Sequence, residues 1–80
     1  MKTIRFTGPA LKAFAKLPDR ARVQMRLKLE RYAEMGTGDV KALVGVPGLR
    51  IRSGSYRAVF VETADAIEVF KVGDRRDIYE

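Results

Sequence analysis

Five arginines and a tyrosine in the last third of the chain could do chemistry together: Arg50, Arg52, Arg57, Arg75, Arg76 and Tyr79. The chain has no histidine and no cysteine, so any reaction falls to permanent cations, carboxylates and phenols. A guanidinium stays protonated in proteins and presents a planar fork of donors that matches phosphate oxygens. Several of them beside one phenol suit a phosphodiester, where they would hold developing negative charge rather than remove a proton. Each has a plainer reading. Arg50 and Arg52 alternate with Leu49 and Ile51, as on the wet face of any amphipathic strand, and Tyr79 could be a packing residue. Arg76 could pair with Asp77 or Glu80.

The elements that must position these residues are legible in the spacing. Lys2–Phe6 reads as a short strand with Ile4 and Phe6 on one face. Gly8-Pro9 breaks it and opens a helix carrying Ala10, Phe14 and Leu17. Pro18 ends that helix and starts a longer one through about Met35, closed by Gly36. Its apolar stripe is Ala21, Met25, Leu29, Tyr32 and Ala33. Val23 and Leu27 fall outside the stripe and are expected to pack on the first helix, or else to meet a partner helix. Gly36-Thr37-Gly38 forms a turn, and Asp39 is placed to cap a single helical turn through Leu43. Three strands follow, Leu49–Arg52, Tyr56–Glu62 and Ala66–Val72, joined by connections short enough for hairpins. Tyr56 shares a face with Ala58 and Phe60 and reads as core, whereas the face of Lys71 stays open. The fold class is α+β: a short N-terminal strand, a two-helix hairpin, then a three-stranded antiparallel meander, with the arginines on the sheet face away from the helices.

Composition narrows the partners. Eighty residues are expected to form a single domain over 1–80, near the size at which a core needs no staples. Without cysteine or histidine there is no disulfide framework, and a zinc or redox site would need carboxylates alone, so no metal and no cofactor are expected. Residues 1–6 alternate charged and apolar side chains instead of forming an apolar targeting segment, and no run is long enough to span a bilayer, which points to the cytoplasm and away from membranes. The net charge is +6, and its distribution is uneven. Residues 1–48 hold ten Lys and Arg against four acids, whereas residues 49–80 hold six of each. The arginine pattern therefore sits in the electrically neutral half. A broad basic surface on the helices, centred on Arg20, Lys28 and Arg31 with Arg22 and Arg26 nearby, would dock on a polyanion while the local cluster acts. The plainer reading of that surface is a solvated helix face.

Lys41-Ala42-Leu43-Val44-Gly45, followed by Pro47-Gly48-Leu49-Arg50-Ile51-Arg52-Ser53-Gly54-Ser55-Tyr56-Arg57-Ala58-Val59-Phe60, resembles the signature of the RelE/ParE toxin superfamily. Val72-Gly73-Asp74-Arg75-Arg76-Asp77-Ile78-Tyr79 is similar to its C-terminal motif. The resemblance covers essentially the whole chain, and the element order agrees with it.

What the resemblance implies is the toxin of a type II toxin–antitoxin pair. A RelE-like toxin is a ribosome-dependent endoribonuclease that cuts messenger RNA in the A site by metal-free attack of a ribose 2′-hydroxyl. A ParE-like toxin, the alternative, is a non-enzymatic inhibitor of DNA gyrase on the same fold. By position, the resemblance implies catalytic roles for Arg57 at the scissile phosphate, Arg75 on the leaving side and Tyr79 at the base. Arg50 and Arg52 would bind substrate, and Arg20, Lys28 and Arg31 would dock on ribosomal RNA. The partners implied are the ribosome, its messenger RNA and a cognate antitoxin from an adjacent gene. Two positions depart from the family pattern. Lysines are common where Arg50 and Arg52 stand, and arginine is no credible general base. Asp74 stands where a cation or histidine is frequent, and there it would either orient Arg75 or offset its charge.

Overall fold

A computed structural model describes residues 1–74 and 76. Strand β1 (Thr3–Phe6) leads into helix α1 (Gly8–Ala15), whose first turn is capped by the Thr7 hydroxyl accepting from the Ala10 N–H at 3.3 Å. After Pro18 comes α2 (Asp19–Met35), which stops at Gly36 in the left-handed conformation (φ 71°), with its N–H bonded to the Tyr32 carbonyl at 2.8 Å. The rest is strand: β2 (Val40–Ala42), β3 (Leu49–Ser53), β4 (Tyr56–Glu62) and β5 (Ala66–Asp74).

The strands form one sheet in the order β1-β5-β4-β3-β2. β2 to β5 run antiparallel, and β1 closes the other edge parallel to β5. Both helices cover one face of it. Ala10, Phe14 and Leu17 of the first helical stretch and Met25, Leu29 and Ala33 of α2 are buried against Ile51, Ala58, Phe60, Ile67, Val69 and Val72. Phe6 packs on Phe14 with ring centroids 5.0 Å apart, and Tyr32 on Phe60 at 5.3 Å. Tyr56 packs at the edge of this core, as its face predicts.

Two expectations are corrected. Asp39–Leu43 is no helical turn: Val40–Ala42 adds a fifth strand, with Val40 opposite Ile51, Lys41 opposite Arg50 and Ala42 opposite Leu49. The edge of β3 offers these residues ladder hydrogen bonds, and three residues are too few for one helical turn to compete without a packed face. Instead of capping a helix, Asp39 accepts the Arg52 N–H on its backbone carbonyl at 3.1 Å. Val23 and Leu27 do not pack on α1. They are 55 % and 57 % exposed, because α2 buries its Met25–Leu29–Ala33 stripe against the sheet and turns these two outward.

Candidate nucleic-acid interface

Residues directly opposite in an antiparallel ladder point to the same face, so the register places the cations. Lys41 of β2, Arg50 of β3, Val59 of β4 and Lys71 of β5 form one cross-strand row on the face away from the helices. Arg52, Arg57 and Gly73 form the next row. The face of Lys71, open in the sequence, is thereby fixed. At the usual strand spacing the first row spans about 14 Å. The two rows together hold five cations: Lys41, Arg50, Arg52, Arg57 and Lys71.

These cations are held differently. Arg57 is 4 % exposed, and its Nη1 donates to the carbonyls of Gly54 at 3.1 Å and Tyr56 at 3.2 Å. Its Nε has no partner, and among the described residues no carboxylate pairs with it. Arg50 is 8 % exposed and makes long contacts, both 3.4 Å, from Nη1 to the Asp39 carbonyl and carboxylate. Arg52, Lys41 and Lys71 are exposed. Burying a guanidinium against carbonyl dipoles costs solvation, and among the described residues no carboxylate paired with Arg57 returns it. The arrangement gains most when an anion arrives and completes the fork. Three guanidinium groups on two adjacent strands can grip a phosphate, stabilise added charge on its oxygens and keep water from reorganising around it.

The remaining sequence candidates divide. Arg75 and Tyr79 lie outside the described residues, as do the proposed partners of Arg76 at Asp77 and Glu80. The Arg76 N–H bonds to the Asp74 carboxylate at 2.9 Å and its guanidinium stands 3.9 Å from the same group, exposed to solvent. Arg20, Lys28 and Arg31 are exposed on the helical layer, on the other side of the sheet from the cation rows. Two cations near them have local roles. Arg22 ties the carbonyls of Leu17 (3.2 Å) and Ala15 (3.5 Å) at the end of the first helix and pairs with Asp19 at 2.7 Å. Arg26 sits 5.9 Å from the centre of the Phe14 ring. Lys41 joins the row because Val40–Ala42 is a strand where the sequence predicts a helical turn. Among the described residues no group of three or more acids could hold a metal ion, and no helix is long and apolar enough to cross a membrane.

The fold has counterparts among solved structures. The chain superposes on RelE–RelB antitoxin–toxin structure from Methanococcus jannaschii with a TM-score of 0.77 at 25% identity, covering 94% of each chain. For the intact Escherichia coli RelBE toxin–antitoxin complex the TM-score is 0.68 at 25% identity, covering 92% of this chain and 96% of that one. The RelBE2 complex of Mycobacterium tuberculosis gives 0.77 at 22% identity, covering 92% and 98%, a likeness of fold. No protein-family model and no curated protein matches the chain.

Proposed function

We propose that this chain, RelE-like in fold over nearly its whole length, is the toxin of a toxin–antitoxin pair and cuts messenger RNA on the ribosome. The observation that carries this reading is the buried Arg57, which pairs with no carboxylate among the described residues, beside Arg50 and Arg52. A surface that served only to bind a protein has no use for a guanidinium desolvated in this way.

In this reading the messenger RNA lies over the cation rows with its scissile phosphate at Arg57. The ribose 2′-oxygen bonds to phosphorus and gives its proton to water or to ribosomal RNA, since no arginine can take it. The bond from phosphorus to the 5′-oxygen breaks, leaving a 2′,3′-cyclic phosphate and, once that oxygen is protonated, a 5′-hydroxyl. Arg57 and Arg50 hold the charge that builds on the non-bridging oxygens, Arg52 holds the strand in line, and Arg75 and Tyr79 serve the leaving side and the base. The exposed Arg20, Lys28 and Arg31 dock on ribosomal RNA. Inhibition of DNA gyrase is the competing reading.

The test is purified protein mixed with messenger RNA, free and loaded on ribosomes. Cleavage of the ribosome-bound message alone, with cyclic phosphate ends and loss in an Arg57→Met variant, is the expected result. An intact message on ribosomes, together with protein-dependent gyrase–DNA breaks, would overturn it.

A further inference from the structure

The sheet face that carries the cations also carries an aromatic ring that the phosphate chemistry does not use. Strands β4 and β5 shift register between Val59 and Phe60: Val59 pairs with Lys71, and Phe60 with Val69. Phe70 is the extra residue, a β-bulge, and the bulge turns it onto the open face beside Lys71. Val69 and Val72 on either side are buried, whereas Phe70 is 38 % exposed.

Its ring does not project into solvent. A β-carbon on Gly48, at the start of β3, would stand 3.5 Å from the Phe70 Cζ, 3.5 Å from the Leu43 Cδ1 and 3.4 Å from the Phe60 carbonyl. Gly48 is two strands away from β5, about 10 Å at ordinary spacing, so the side chain must lie along the sheet, across β4, to reach it. Gly48 has φ 129°, which favours glycine, and its missing side chain leaves room for the ring to bed down. The result is an aromatic ring laid along the face, exposed on its outer side and next to the Lys41–Arg50–Lys71 row.

We infer that Phe70 is a stacking platform for a nucleobase of single-stranded RNA whose phosphates run along that row. Positive grooves that track a backbone, interleaved with aromatic rings that take successive bases, are how single strands are held without sequence readout. The five cations set the occupant as a polyanion, and the flat ring sets it as one with bases. The one acid on β5 near the ring, Glu68, lies opposite Val61 and beside Arg5 of β1, away from the Lys71 end. The inference rests on the nuclease reading for its substrate and deepens it by naming what holds a base.

The chain has no tryptophan, so Phe70→Trp places a single indole at the platform, and in the absence of ribosomes the RNA stays intact. At low salt, a short oligoadenylate is expected to quench its emission, and the same oligonucleotide with abasic sites to bind without quenching. Phe70→Leu is expected to weaken oligoadenylate binding roughly ten- to a hundredfold, Phe70→Tyr to retain it, and both to melt where the parent protein does. An indole that does not respond to oligoadenylate, or responds equally to the abasic strand, overturns the platform. The nuclease reading is judged separately, by whether the protein with native Phe70 and Arg57 cuts ribosome-bound message. Quenching by RNA without such cutting would leave Phe70 as the platform of an RNA-binding protein.

Discussion

Arg57 carries two opposed demands. Its guanidinium is out of water, bonded only to two turn carbonyls among the described residues, which is a poor way to stabilise a fold and a good way to prepare an anion site. Replacing a buried, poorly compensated charge with an apolar side chain of similar length is often neutral or stabilising. Arg57→Met is therefore expected to melt at or above the parent temperature while losing cleavage about a hundred- to a thousandfold, the range seen when one preorganised donor is removed from a transition state. A calorimetric scan beside the ribosome assay checks both halves. A variant that unfolds by several degrees would make Arg57 a structural residue instead. Arg50 and Arg52 were readable as a pair from their alternation with Leu49 and Ile51. What the sequence could not show is that they differ in depth, Arg50 sunk beside Asp39 and Arg52 exposed. Depth depends on which strands flank β3, and one of those was unrecognised.

At the scale of elements, a small polar network joins the layers. The Tyr32 hydroxyl of α2 donates to Glu62 of β4 at 2.7 Å, and the Lys2 ammonium pairs with the other carboxylate oxygen at 2.5 Å. The Lys2 hydrogen bond, and then that from Tyr32, hold the Glu62 carboxyl below its usual range, while burial and then Glu62 push the Tyr32 phenol up. The lowered carboxyl contributes stability that is present above its unfolded value, about pH 4 to 5, and is lost as pH falls through the folded one. The raised phenol contributes stability present below about pH 10 and lost as pH rises above it. Urea melts across acid pH should therefore show a steeper loss for the parent than for Glu62→Gln, and at alkaline pH a steeper loss than for Tyr32→Phe. Equal slopes would remove the network from the account. A second check at this scale concerns the caps: Thr7→Ala is expected to cost about 1 kcal/mol by removing the first-turn hydrogen bond of α1, read from the same melts.

The helices and the β3–β5 meander were legible because their apolar residues recur over several turns or alternations. Strand β2 was not, because three residues carry no period and Asp39 doubles as a plausible cap. The bulge did leave a trace: Ile67 and Val69 are core, and so is Val72, an odd step that breaks the two-residue alternation. That step in the sequence is the mark of Lys71 and Phe70 standing together on the open face.

For the whole molecule, the uneven charge becomes a division of labour between layers. The helical layer, residues 8–35, holds seven Lys and Arg against three acids, and the sheet's far face holds the sunken Arg50 and Arg57 beside the exposed Lys41, Arg52 and Lys71. Docking through the helical layer predicts ribosome binding that weakens steeply with salt. Replacing Arg20, Lys28 and Arg31 with alanine is expected to lower the slope of log affinity against log salt by about 2 to 3, with cleavage chemistry on saturating ribosomes unchanged. A slope that stays the same would return those residues to the role of a solvated face. The proposed antitoxin, drawn to the same basic surfaces, would be an acidic segment. Messenger RNA cleavage by this protein is read most directly by mapping message ends in cells after its induction. New ends are expected within translated codons, absent before induction and absent when Arg57→Ala is induced instead. Full-length messages in growth-arrested cells would contradict it.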